Sequence, residues 1–480
     1  MDQAYSPSCS TMMSLFSLPP ELLDQICKEF CLHCQKAPSH PKFYFNIADQ
    51  NKTPPETKSL VALRRTCTVL AQIAQPYLYH RPLGQRFPSF VQNISEYPQL
   101  GHRVRRLSVA RATSPCIQHD DLCDFFTPGF VDRFLERCDH MRGTTLYEDA
   151  RKCYLDPMPE LVRRCFCLRM LTMFDDEREA LAITFGLSFM PNLTKLEILL
   201  GENWSFRWCR PDSLPCLREF VISEWDPHRK SNGFAIRGLL TAAPALERLE
   251  LNQVIHILLP KNERSYFSHA NLKELVINAS TISTPSLHML MNGFPNLQTF
   301  HFGWAFWKYW HLLEWETPCP SILNEVVLRR KDTLRQLSLD LSETDDMGGP
   351  ELQDLSRMTV LETLHIDSLM LTDENGEVPN DQEIHDILPP NIKEFGLMGK
   401  AYKRLYEEVL HLITMRRENL QKVIVASEDL RKEEWSHWVG IFASACSETN
   451  IEFSMQEPSH WKALTNPNSD WTDDGEFKEP

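Results

Sequence analysis

Four things are missing from this 480-residue chain, and each absence closes a class of function. No apolar run is long enough to cross a bilayer, because Pro, Arg or Glu interrupts each one. No N-terminal stretch has the charged-then-apolar layout of an export signal. There is no Gly-x-x-x-x-Gly-Lys phosphate loop, Gly-x-Ser-x-Gly elbow or His-Glu-x-x-His helix, and no pattern sets a nucleophile beside a base. Nor is there a basic excess: 50 Lys and Arg against 65 Asp and Glu leave a net charge of -15. That balance argues against general nucleic-acid binding, and the short basic runs at Arg103, Arg105, Arg106 and at Arg329, Arg330, Lys331 read as solvated element ends. The expectations are therefore no catalytic residues, no cofactor, no membrane or nucleic-acid partner, and a cytoplasmic and/or nuclear location. The 15 cysteines are an odd number, scattered mostly singly, and read as reduced thiols at apolar positions. Acidic pairs such as Asp175-Asp176-Glu177 and Asp345-Asp346 stand at element boundaries, where acid matches a helix dipole.

What the chain does have is a recurring Leu-x-x-Leu-x-Leu. It appears at Leu193-Leu196-Ile198, Leu217-Phe220-Ile222, Leu246-Leu249-Leu251, Leu272-Leu275-Ile277 and Leu297-Phe300-Phe302. It continues at Leu334-Leu337-Leu339, Leu361-Leu364-Ile366, Ile392-Phe395-Leu397 and Leu420-Val423-Val425, with looser copies at Val104-Leu107-Val109 and Leu168-Leu171-Met173. Successive copies stand mostly about 24 to 31 residues apart, a period that belongs to a solenoid, which presents surface. Each copy has period-two apolar positions, a half-buried strand. Helical stretches lie between them, at Ile236, Leu239 and Leu240, at Leu287, Leu290, Met291 and Phe294, and at Val409, Leu412, Ile413 and Arg416. Neither strand nor helix can bury its apolar face alone, so stacking is required. The expected fold is α/β, a leucine-rich-repeat solenoid with parallel strands inside and helices outside, over residues 86–455. A disordered start (1–14) and a disordered acidic tail (456–480) flank the ordered parts, and a final helix near Glu433–Ala445 with a strand at Ile451-x-Phe453 closes the stack.

Residues 15–85 form a separate small helical unit with a long internal loop. Ser17-Leu18-Pro19-Pro20-Glu21-Leu22-Leu23-Asp24-Gln25-Ile26 opens a first helix. A second helical run carries Leu60, Leu63, Cys67, Leu70 and Ala74 on one face and is stopped by Pro76. These two segments, with Leu60-Val61-Ala62-Leu63-Arg64-Arg65-Thr66-Cys67 in the second, resemble an F-box, and with the repeats downstream the chain resembles a fungal-type F-box protein with leucine-rich repeats. That resemblance implies binding to a Skp1-like adaptor and through it a cullin-RING assembly, with the repeats holding a target protein. It implies an adaptor contact through Leu18, Pro19, Leu22, Leu23, Ile26, Leu60, Leu63 and Cys67. The chain departs from the family pattern in its long loop and in Tyr77-Leu78-Tyr79, where a Leu-Trp is frequent. The rival readings are a non-ligase leucine-rich-repeat interaction or regulatory protein, and an N-terminus that only caps the solenoid.

Two further constellations stand out. Cys27, Cys31 and Cys34, with His33 and His40 beside them, fall at i, i+4 and i+7, one helical face of core thiols. A continuing helix cannot wrap ligands around one ion, so no metal is expected unless the chain turns. The run His301-Phe302-Gly303-Trp304-Ala305-Phe306-Trp307-Lys308-Tyr309-Trp310 sets Phe306, Trp310 and Leu313 at helical spacing and leaves Trp304, Trp307 and Tyr309 for packing or a partner. On the strands, the residues alternating with the core leucines point to the open side. They include Arg248 and Glu250, His301 and His365, a mixed surface suited to a protein or peptide partner.

Overall fold

The alternation that the repeats carry is satisfied by one sheet. The computed structural model describes residues 18–31, 33–35, 55–82, 87–110, 186–200, 209–224, 236–252, 254, 268–278, 280, 282–303, 320–341, 355–372, 384–415 and 419–456. Among these residues eleven strands form a single sheet in chain order, every pair parallel. They are β1 (Arg106–Ala110), β2 (Lys195–Leu200), β3 (Glu219–Glu224), β4 (Arg248–Asn252), β5 (Glu274–Asn278) and β6 (Thr299–Gly303). β7 (Gln336–Asp340), β8 (Thr363–Asp367), β9 (Glu394–Met398), β10 (Lys422–Ala426) and β11 (Glu452–Met455) complete it. The order is compatible with solenoid-like stacking, since each strand pairs only with its chain neighbours.

The register never slips. Leu107, Leu196, Phe220, Leu249, Leu275, Phe300, Leu337, Leu364, Phe395 and Val423 lie side by side across the sheet. All are buried, as are the leading residues of the repeats from Leu193 to Leu420. A one-residue shift would turn the whole row outward, so the apolar pattern itself fixes the pairing. These rows share one continuous core with the helices between strands. Leu239 and Leu240 come from the helix Ile236–Ala242, Leu287, Leu290 and Met291 from Thr284–Gly293, and Leu323, Val326 and Val327 from Pro320–Leu328. The Thr284–Gly293 helix is capped as its sequence suggests: Ser283 Oγ accepts from the Ser286 N–H at 3.3 Å. At the far end, the helix Lys403–Thr414 buries Tyr406 within 5.4–5.8 Å, ring to ring, of Trp435, Trp438 and Phe442 on the closing helix Glu433–Thr449.

Neighbouring repeats are also tied by asparagines that precede the leading leucine. Asn192, Asn271, Asn296, Asn391 and Asn419 each donate from Nδ2 to a backbone carbonyl one repeat earlier, at 2.6–3.3 Å. Asn192, which opens an Asn-x-Thr triplet, thus has a structural task.

The described residues of the N-terminal unit form three helices, α1 (Pro20–Glu29), α2 (Pro55–Thr66) and α3 (Thr68–His80). Three expectations are corrected here. The second helical run is broken at Cys67, whose extended backbone (φ -161°) makes it the cap of α3, its Sγ accepting from the Leu70 N–H at 3.5 Å. Pro76 does not stop α3: Ala74 and Tyr77 are buried, and the Tyr77 hydroxyl donates to Asp24 Oδ1 at 2.6 Å, so tertiary packing carries the helix past the proline. α1 ends at Glu29, so Cys31 and Cys34 do not continue a helical face with Cys27.

The looser repeat copy at Leu168-Leu171-Met173 lies outside the described residues. β1 pairs directly with β2, Arg106 opposite Lys195, so the sheet has no strand between them. Residues 1–14 and 457–480 are likewise outside the description, and residues 373–383 with them. Among the described residues no helix is long and apolar enough to cross a membrane.

Candidate functional site

The small helical unit has its own core, distinct from that of the sheet: Cys27, Cys31, Leu60, Ala74 and Tyr77, with Phe30, Cys34, Leu63, Ile73 and Leu78 packed against it. That cluster, with buried Leu23 on α1 and Leu70 on α3, supplies limited hydrophobic stabilisation, since a unit this size exposes much of its surface. The residues expected to contact an adaptor divide accordingly. Leu23 and Leu60 point inward, at 4% and 3% exposure, and hold the unit together. Pro19 and Leu22 are exposed, while Leu18, Ile26, Leu63 and Cys67 are half-buried. Leu22 and Ile26, four apart on α1, share a side of the helix. Val69, at the start of α3, is 52% exposed and Leu22 43%, two of the large apolar side chains left in water among the described residues. Sequence reasoning missed Val69 because it treated α2 and α3 as one helix. Burying an exposed leucine or valine completely is worth about 1.5–3 kcal/mol, so such side chains favour a cover.

The unit meets the sheet at the C-terminal end of α3. The Arg105 N–H donates to the His80 carbonyl at 3.0 Å, and Tyr79 lies against Phe90 and the main core. At this junction Cys31, His33, Cys34 and His80 converge, with their ligand atoms all within 4.8 Å of one another. His80 Nδ1 is 3.6 Å from Cys31 Sγ and 3.5 Å from Cys34 Sγ, and His33 Nδ1 is 3.7 Å from Cys34 Sγ. Burial is the main reason that His80 is pulled down to about 4, helped by His33 and Arg105. Burial likewise pushes the Cys34 thiol up to about 12, with Cys31 adding to it. The expectation of plain core thiols overlooked His80 because nothing in the local sequence links it to Cys31.

The open face of the sheet is a charge ladder. Reading across the strands, Arg106, Lys195, Glu219, Arg248, Glu274, Thr299, Gln336, Thr363, Glu394, Lys422 and Glu452 stand in register. Near β1 the buried Glu197 accepts from Arg106 at 2.9 Å and from Ser108 at 2.7 Å, and pairs with Lys195 at 3.1 Å. Burial alone would raise the Glu197 carboxyl, but Arg106 and Lys195 outweigh it and hold it below its ordinary value. Arg248 pairs with Glu250 at 2.9 Å and with Glu274. His365 Nε2 lies 2.8 Å from Glu394, which also faces Lys422 at 3.7 Å. The middle strands carry uncharged groups, and there burial pulls His301 down to about 4, with His365 and Arg248 adding. Asn252 and Asn278 continue the face as a buried amide pair, the Asn278 amide donating to Asn252 Oδ1 at 2.9 Å.

Of the residues expected to meet a target, Arg248, Glu250, His301 and His365 therefore share one face, with the first two neutralising each other. Trp304, Trp307 and Tyr309 lie outside the described residues. No protein-family model matches this chain, and no curated protein matches it either.

Proposed function

We propose that the chain is a non-catalytic substrate-recognition subunit of an SCF-type E3 ubiquitin ligase. The observation that carries this reading is a helical unit with its own core that leaves Leu22 and Val69 exposed, in a segment whose sequence resembles an F-box. Leu22 and Val69, with half-buried Leu18, Ile26 and Leu63, form the contact for a Skp1-like adaptor. Leu23 and Leu60 support it from beneath. The stacked repeats then read as a leucine-rich-repeat solenoid whose open sheet face grips a target protein. The central strands favour polar, uncharged or hydrogen-bonding groups, because the flanking charges are already paired across strands. Ubiquitin transfer follows from holding the target near a loaded enzyme, with the reacting cysteine on another protein.

The test is co-purification of the full chain with a Skp1-like adaptor and a cullin. Leu22→Asp with Val69→Asp abolishes adaptor capture while the circular dichroism of the chain is unchanged. Undiminished capture by that variant sinks the assignment. Adaptor capture without cullin recruitment instead favours the non-ligase interaction protein.

A further inference from the structure

We propose that Cys31, His33, Cys34 and His80 bind one structural Zn²⁺ that clamps the end of α1 to the end of α3, where the helical unit joins the sheet. The two cysteines form a Cys-x-x-Cys turn, the spacing that lets two thiolates reach one ion, and the chain bends there as a ligand loop must. The Cys31 N–H bonds to the Lys28 carbonyl at 3.0 Å and the Gln35 N–H to the Cys31 carbonyl at 3.0 Å, so the turn is closed before any ion arrives. His80 comes from the last turn of α3 and reaches the same point from the other side.

The distances select tetrahedral coordination. Zn–S bonds of about 2.3 Å and Zn–N bonds of about 2.0–2.1 Å at tetrahedral angles put sulfur and nitrogen about 3.5–3.6 Å apart. Three of the four sulfur–nitrogen separations are 3.5, 3.6 and 3.7 Å, and all four ligand atoms lie within 4.8 Å of one another. Ordinary packing of thiols against imidazoles has no reason to place four donor atoms around a common centre. Two soft thiolates with two imidazoles suit Zn²⁺ over hard cations such as Mg²⁺ or Ca²⁺. On binding, the two thiols release their protons to solvent and the histidines coordinate as neutral rings, so a group with the charge of a divalent cation ends neutral. Cys31 is buried and the other three are half-buried, which leaves the ion a way in. A metal cross-link would also add to a small core, since two of the five buried members of the unit's core cluster are cysteines. This inference stands apart from the adaptor reading, since the clamp forms whatever the helices dock.

The full chain, purified under reducing conditions from zinc-supplemented cells, is assayed for metal by mass spectrometry. About one zinc per chain is expected. Cys31→Ser with Cys34→Ser loses it, Cys446→Ser keeps it, and His33→Cys keeps it because a thiolate replaces an imidazole. Replacing zinc by Co²⁺ in the wild-type chain gives the intense visible bands of a tetrahedral thiolate site, a reading that does not depend on any variant folding, and His33→Cys strengthens the sulfur-to-cobalt charge transfer. Zinc retained by the double-serine variant, a weak octahedral cobalt spectrum, or a metal-free wild-type chain would each overturn the proposal.

Discussion

Replacing Glu197 by glutamine keeps its shape and one acceptor oxygen but removes the negative charge between Arg106 and Lys195. The side chains of Glu197 and Arg106 are only 7% and 10% exposed, so water cannot take over the solvation of the guanidinium. Lys195 retains Glu219 at 3.0 Å, whereas the buried Arg106–Glu197 ion pair is lost. Breaking a buried pair by removing one partner costs about 3–5 kcal/mol. The lower end applies here because the replacement amide can still accept from Ser108, and about 3 kcal/mol is roughly a hundredfold in a local opening equilibrium. Amide hydrogen exchange, followed on peptides covering β1 and β2, should lose protection by about that factor while β8 to β10 are unaffected. The double replacement Arg106→Met with Glu197→Leu should recover most of the loss, since it removes both charges of the buried pair and leaves Lys195 to Glu219. The sign with pH is fixed too. The folded carboxyl lies below its ordinary 4.5, so the contribution of Glu197 is complete above that value and fades as pH falls through the depressed one. A Glu197→Gln effect under about 0.5 kcal/mol, the size of an exposed pair, or a double variant as damaged as the single one, would refute the reasoning.

Asp367 gives the opposite pH response. Burial, with Asp340 adding, pushes its carboxyl up to about 8 from 3.8, so the folded state holds the extra proton and stability falls as pH rises between those values. Asp367→Asn should flatten that slope, seen as a denaturation midpoint that changes less between about pH 5 and about pH 9 than in the wild type. Gly399→Ala should destabilise by about 1–3 kcal/mol, because its φ of 89° disfavours a side chain and a Cβ would come within 2.7 Å of Asp367 Oδ2; an unchanged melting temperature contradicts this. In the N-terminal unit, Leu23→Ala should cost about 2–5 kcal/mol and Leu22→Ala under about 0.5 kcal/mol, a contrast that proteolysis of the unit would report.

The sheet was legible because its signal is redundant: Leu249, Leu275 and Phe300 each carry the same instruction, and one misread copy would not have changed the pairing. The open face was legible by position but not by state. Arg248 and Glu250 could be named from alternation, yet that they neutralise each other and Glu274 depends on which strand lies alongside. The asparagine ties were in plain view as Asn-Leu at the head of several repeats, and only the carbonyl of the previous repeat gives them meaning. The N-terminal unit was harder. A helical period fits residues from Leu60 to Ala74, and nothing in that spacing reports the extended backbone at Cys67 that splits it. For Cys31 and Cys34 the local pattern favoured a helix face, while the partner that changes their chemistry, His80, comes from beyond the intervening loop. Contacts between residues far apart in sequence are what a single periodic reading cannot see.

The strand order, each one beside its predecessor, also governs what the chain tolerates. Two strands side by side need only their ends brought close, and the entropy of closing a loop grows with the logarithm of its length. Ala110 and Lys195 are far apart in the chain, yet they bracket a strand junction no different in register from that between β4 and β5. Material can therefore be added or removed at such crossovers without disturbing the ladder on either side, which leaves the connections free to diverge while the face they surround keeps its geometry.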